Sequence, residues 1–148
     1  MLEDFLDVNS VDAELITFPR ETSLQTALFE TKISPSAAVR VDFYMNERQE
    51  EFLFVYPIKT RLDLGKAKQA TNSSALKEKD PELVFEATGY SKGMLPPVGV
   101  YGAKVYVDRS LQGKEVVLCK VGEKEFLKIP PDEIVDANEE AFMEKIAR

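Results

Sequence analysis

The chain contains no histidine and a single cysteine, Cys119. That removes Ser-His-Asp and Cys-His nucleophilic machinery, His-ligated metals and multi-cysteine metal sites. Any chemistry falls to Lys, Arg, Asp, Glu, hydroxyls, main-chain groups or the substrate itself. Cys119 lies in the apolar run VVLC and reads as a buried, inert thiol. The stretch with most to offer is GYSKGMLPPVG, residues 89–99, where three glycines and two prolines fall in eleven residues. Glycine admits positive φ and close approach to the main chain; proline stiffens the turn and removes N–H groups. Such a loop either lines a small-molecule pocket with fixed N–H and C=O dipoles or is only a sharp turn. Gly89, Gly93 and Gly99 fit neither GxGxxG nor GxxxxGK[ST], so this is not a nucleotide phosphate loop.

Four charged residues stand beside it as candidates. Arg40 lies in AAVRVDFYM (37–45), where Val39, Val41, Phe43 and Met45 take one face and Arg40, Asp42 and Tyr44 the other. It is either a functional cation, with Tyr44 beside it as a substrate-binding candidate, or a solvent-facing residue paired with a nearby acid. Asp108 ends AKVYVD and either serves the site or caps a turn. Lys59 and Lys92 are candidate phosphate contacts or plain surface charge.

Positioning these residues requires strands and helices in mixed order. Residues 1–9 suit a short helix with Leu2, Phe5 and Leu6 inward, and 13–18 a strand. Thr22 with Gln25 fits a capping box, predicting a helix from about 23 to 30. The alternating segment 37–45, the polar turn 46–50 and FLFVYP (52–57) predict a hairpin. Asp63 is an N-cap for a helix over 64–70, and Ser73 or Ser74 could start another. Asp80-Pro81 opens a helix that Gly89 stops. Strands follow at 103–108, 114–121 and 125–129, and Pro131 opens a helix over 131–137 that continues or restarts toward the end. Interspersed strands and helices without strict alternation predict a mixed sheet in one α/β or α+β domain.

GYSKGMLPPVG followed by AKVYVDRSL resembles the signature of the YbaK/ProX family of aminoacyl-tRNA deacylases. That pattern has a Gly-x-x-x-Gly loop, a Pro-x-Gly and a strand ending in Asp, which Gly89, Gly93, Pro97, Gly99 and Asp108 match. YPIKTRLDLGKAKQA resembles the family's proline, Arg-Leu-Asp and helix segment, and VGEKEFLKIPPDEI its closing strand and helix. The resemblance runs from about residue 13 to 137. It implies a single domain, 1–148, with a curved mixed β-sheet flanked by helices. It implies hydrolysis in trans of the ester joining a small amino acid, such as Ala or Cys, to the 3′ adenosine of tRNA-Pro. It implies no metal or organic cofactor, aminoacyl-tRNA as partner, and an aminoacyl-tRNA synthetase as a further one. By the same resemblance Arg40 and Gly93 are the catalytic positions, and Gly89, Pro97, Gly99 and Asp108 substrate-binding ones.

The chain departs from the family at several points. Arg40 stands where a lysine is usual, and a larger, forked, permanently charged group is not a neutral swap. Lys92 replaces a frequent proline, Met94 a frequent glycine and Pro96 a frequent serine. A non-catalytic module that kept the fold and recognises an aminoacyl end, a nucleotide or a protein is therefore the competing expectation. Hydrolysis of a different small ester or amide in the same pocket is a third.

The net charge of −7 weighs against nucleic acid, but its distribution softens that. Residues 1–21 carry −5 and 132–148 carry −4, leaving the middle at +2. The acids of the last seventeen residues read as a solvated helix face. The acidic start lacks the features of a signal peptide, and no apolar run approaches the ~20 residues of a membrane helix. The expectation is a cytoplasmic monomer or homodimer.

Overall fold

The computed structural model describes residues 2–148. The elements in chain order are α1 (Leu2–Val8), β1 (Glu14–Thr17), α2 (Leu24–Thr31), β2 (Ala38–Asn46), β3 (Glu51–Pro57), α3 (Leu64–Thr71) and β4 (Leu76–Glu78). Then come α4 (Pro81–Thr88), β5 (Ala103–Asp108), β6 (Val117–Lys120), β7 (Glu125–Ile129), α5 (Pro131–Ala137) and β8 (Ala141–Glu144). All eight strands form one mixed sheet in the order β1-β7-β6-β2-β3-β5-β8, with β4 paired to β2 off this path. The β2–β3 hairpin is antiparallel, whereas β2–β6, β3–β5 and β5–β8 run parallel.

The hairpin forms the centre because its sequence suits burial on both sides. Leu53 and Val55 join Val39, Val41 and Phe43 in one core, while Phe52, Phe54 and Tyr56 build a second core on the other face. A strand covered on both faces reads as a near-continuous apolar run, as FLFVYP does. The first face carries α1, α4, α5 and the inner residues of the 89–99 loop, through Leu2, Leu6, Val84, Leu95, Val98 and Ile134. The second face carries α3, whose Ala67 packs on the aromatic cluster, and α2, whose Ala27 and Leu28 pack on Ala38, Leu118 and Phe126. Arg40, which alternation puts on the second face, therefore lies between α2 and α3.

Helix boundaries follow local chemistry. Asp63 accepts from the Lys66 N–H, Asp80 from the Glu82 N–H, and Gly89 closes α4 at φ 79°. Two expectations fail at β4 and β8. The segment after Ser73 and Ser74 is not a helix; it extends and pairs with the β2 edge, where Tyr44 faces Glu78. Glu47 holds its entry by accepting from the Ser74 and Ala75 N–H groups. The chain after α5 does not stay helical either. Asn138 turns it, its amide donating to the Ile134 and Pro97 carbonyls, and β8 then pairs with β5. The cap of α2 is Ser23, not Thr22: the Ser23 hydroxyl accepts from the Thr26 N–H, whereas Thr22 donates to the Arg20 carbonyl. The strand expected over 114–121 is confined to Val117–Lys120. Among the described residues, no helix is long and apolar enough to cross a membrane.

Candidate functional site

One edge of β2 is split. β6 pairs with it only at Ala38 and Val39, and β4 only from Tyr44 to Asn46. Among the described residues, no strand pairs with Arg40 to Phe43 on that side. The Phe43 carbonyl accepts from the Lys79 N–H across this edge. Main-chain groups of alternate residues in an antiparallel strand point the same way, so the Val41 N–H and C=O face the gap. Among the described residues no loop main-chain bond reaches Val41. The 89–99 loop closes the gap from the first face. Leu95, Pro96, Pro97 and Val98 are buried there, and the Cys119 thiol donates to the Leu95 carbonyl at 3.3 Å. The loop tip, Ser91 to Gly93, stays exposed.

Arg40 stands at this split and is held. Its Nε and Nη2 each lie 3.2 Å from Oδ1 of Asp42, and its guanidinium sits 5.8 Å from the Tyr56 ring centroid. Asp42 is buried and its other oxygen accepts from the Tyr56 hydroxyl at 2.5 Å. Burial works to lower the Arg40 pKa, but the Asp42 charge, with Tyr56 and Glu78, outweighs it and raises it. Burial and the Asp42 hydrogen bond push the Tyr56 hydroxyl well above the usual phenol range. Tyr44 is half-buried on the same face against Phe54, its pKa raised by burial and then by Glu78 and Asp42. Lys92 reaches from the loop tip to Glu78 at 3.1 Å. Asp42, Phe43, Glu78, Lys79, Lys92 and Leu95 thus border one small depression beside Arg40.

Lys92 borders this depression and pairs with Glu78, which faces Tyr44 across β2 and β4; Arg40 joins it through Asp42, and Gly93 follows Lys92 in the exposed loop tip. Gly93 has φ +84° and no atom within 4 Å of where a Cβ would stand, so backbone geometry alone requires glycine there. Gly89 serves as the helix stop and Pro97 anchors the loop through its carbonyl. Gly99 lies apart, on the first face, with the Phe5 ring 3.5 Å from a would-be Cβ. Two cavities of about 230 and 240 Å³ flank Phe5 there. They are roomier than the depression at Arg40, but none of the cations expected at the site lines them. Asp108 is also apart. Its Oδ1 accepts from the Ile146 and Ala147 N–H groups at 2.9 Å, and its Oδ2 from the Ser110 N–H at 3.2 Å and the Ser110 hydroxyl. Both oxygens are thus engaged, capping the turn after β5 and holding the Ile146 and Ala147 N–H groups. Lys59 is exposed in the turn after β3.

Sequence reasoning missed Asp42, Tyr56 and Glu78 as partners of the site. The signal for Asp42 was present, since it shares Arg40's face two residues on. Those for Tyr56 and Glu78 depend on strand pairing. Among the described residues no group of three or more His, Cys, Asp or Glu side chains could hold a metal.

The family model described as the aminoacyl-tRNA editing domain matches residues 19–136, which span the split edge, the loop and Arg40. The chain belongs to the aminoacyl-tRNA editing domain family. Solved structures agree with this editing-domain fold. The crystal structure of a hypothetical protein superposes with TM-score 0.87 at 21% identity, covering 99% of each chain. A candidate trans-editing enzyme for prolyl tRNA synthetase superposes with TM-score 0.84 at 23% identity, over 98% of this chain and 94% of that one. A candidate signal transduction protein from Marinobacter aquaeolei VT8 contains the same editing-domain fold within a longer chain. There the TM-score is 0.71 at 17% identity, over 99% of this chain and 30% of that one. No curated protein matches the sequence.

Proposed function

We propose that this editing domain deacylates aminoacyl-tRNA in trans, releasing a small amino acid such as Ala or Cys from tRNA-Pro. One observation carries the reading: a fixed guanidinium, Arg40, stands beside a stretch of strand whose Val41 N–H faces the break between β6 and β4, within the family's matched span. The substrate is an activated ester. Water, oriented by the adjacent ribose hydroxyl, adds its oxygen to the acyl carbon, the C–O3′ bond breaks, O3′ leaves with the proton the water gives up, and the amino acid departs as its carboxylate. The need is for positive charge and N–H dipoles where the carbonyl oxygen becomes an oxyanion. Arg40 and the Val41 N–H supply both. Gly93 keeps the loop tip open, Tyr44 walls the amino-acid side, and Lys92 meets the phosphate next to the terminal adenosine. No protein nucleophile is needed, and Cys119 offers none: burial pushes its thiol up to about 12. A prolyl-tRNA synthetase is the natural partner of such an activity.

A second reading has its own support. Asp42 neutralises Arg40 and holds it, as a structural ion pair would. A chain that binds an aminoacyl end without cleaving it fits that geometry. Single-turnover hydrolysis of Ala-, Cys-, Ser- and Pro-charged tRNA at low salt decides between them. Rapid release of one amino acid, reduced about 10²-fold in Arg40→Ala, supports deacylation. No acceleration with the wild type, but turnover gained in Arg40→Lys, supports a binding module derived from an editing enzyme.

A further inference from the structure

The protein is acidic overall, yet its second face carries a concentrated basic surface. Residues 61–63 and 146–148 run antiparallel: the Arg61 N–H donates to the Arg148 carbonyl at 3.1 Å and the Arg148 N–H to the Arg61 carbonyl at 2.9 Å. Leu62 faces Ala147 in this bridge and both pack toward the aromatic core. Arg61 and Arg148 are thus a directly hydrogen-bonded pair with side chains on the same, outward side, their Cα atoms ~5.5 Å apart. Like charges placed opposite each other are destabilising. Neither arginine has an ion-pair partner among the described residues. Beside them Lys66 of α3, Lys145 and Arg109 line an open depression of about 410 Å³ with Glu144. Glu144 is committed to Arg109 at 3.6 Å, and Asp63 to capping α3.

We propose that this surface, formed by Arg61, Arg148, Lys145 and Lys66, docks the sugar-phosphate backbone of the tRNA while its 3′ end reaches Arg40. The inference rests on the deacylase reading for the identity of the ligand. The cations are spread along a ladder and a helix over an open surface, which suits a repeating polyanion better than one small phosphate. The surface lies on the same side of the sheet as Arg40, whose partner Tyr56 belongs to the core that α3 covers. Lys59 is exposed in the turn that leads from β3 toward Arg61. An RNA strand can therefore follow one face from the basic surface to the split edge without crossing the sheet.

Uncharged tRNA tests this without requiring turnover. Its affinity is measured by fluorescence anisotropy across a salt series for the wild type, Arg61→Ala/Arg148→Ala and Lys66→Ala/Lys145→Ala. All four side chains extend from main-chain bonds that alanine keeps, and circular dichroism checks folding. Each pair is expected to weaken binding about tenfold and to lower the slope of log K against log salt by about one to two. Lys32→Ala/Lys124→Ala removes the same charge near α2 and the β6–β7 turn and should bind as the wild type does. Unchanged binding in both test pairs, an equal loss in the control pair, or binding to phosphatidylserine vesicles but not tRNA would overturn the proposal. The two readings fail separately. Patch-dependent binding by a chain that hydrolyses no charged tRNA keeps the surface and removes the deacylase; hydrolysis with binding indifferent to the patch does the reverse.

Discussion

In the proposed deacylation Arg40 is useful only if its guanidinium stays where the ester carbonyl would arrive, and Tyr56 decides that at one remove. Asp42 is buried, and its two oxygens are shared between Arg40 and the Tyr56 hydroxyl. Tyr56→Phe deletes one hydroxyl and leaves Asp42 with Arg40 alone. A buried carboxylate that loses a short charged hydrogen bond costs about 1–3 kcal/mol. Urea unfolding should show a loss of that size. Tyr56 reaches Arg40 through Asp42 and through its ring, whose centroid lies 5.8 Å from the guanidinium, so its effect on the proposed catalysis is positional. Turnover should fall with little change in KM, and the loss should vanish when Arg40 is already alanine. Gly93 acts differently. With nothing near its would-be Cβ, a side chain there meets no clash, only a φ of +84°. Gly93→Val should cost about 1–3 kcal/mol in strain or shift the loop tip. Deacylation falling in a folded protein supports the loop's placement at the site; wild-type rates would remove it.

At the scale of elements, the β2–β3 turn couples the hairpin to β5. Glu50 accepts from Asn46 at 3.0 Å, from Arg48 at 2.9 Å and from Lys104 at 3.3 Å. Those bonds, Asn46's foremost, hold its carboxyl at about 2, below the ordinary 4.5. A carboxylate depressed on folding adds stability above its unfolded pKa and loses it as the pH drops toward the folded value. Glu50's contribution should therefore be whole above about 4.5 and fade between there and about 2. Urea midpoints for Glu50→Gln should lie below wild type at pH 6 and converge with it near pH 2; parallel curves would contradict this. The hairpin itself was legible because alternation in AAVRVDFYM and the apolar run FLFVYP admit few other readings. β4 was not. LKE is three residues long, and the β2 edge that extends it is visible only in the fold. β8 was lost to composition, since NEEAFMEK has helix-forming residues that pairing with β5 overrides. The site shows the same division. Arg40 and the glycine loop announce themselves locally, but the break in the β2 edge that makes them a candidate site exists because β6 and β4 both stop short. No local pattern encodes where a neighbouring strand ends.

Across the whole molecule, the family match ends at residue 136, yet the chain beyond it is built into the structure. Ile146 is fully buried, Ala147 nearly so, and both donate their N–H groups to Asp108. That one carboxylate also caps the turn after β5, so it joins the strand next to the central hairpin to the last residues of the described chain. Asp108→Asn keeps the shape but replaces one acceptor oxygen with a donor. If the remaining oxygen stays on Ile146 and Ala147, the new amide points its hydrogens at the Ser110 N–H. If it flips, the two chain-end N–H groups are left buried without an acceptor. Either arrangement should cost about 2–3 kcal/mol, the scale of losing charged hydrogen bonds in a buried place. Hydrogen exchange distinguishes the outcomes, since only the second frees Ile146 and Ala147. An Asp that held a substrate ammonium would behave otherwise. Its amide would leave stability near the wild-type value and raise KM for charged tRNA. Loss of stability with KM unchanged assigns Asp108 to the fold, and with it the continuity between the editing domain and the basic edge formed at Lys145 and Arg148.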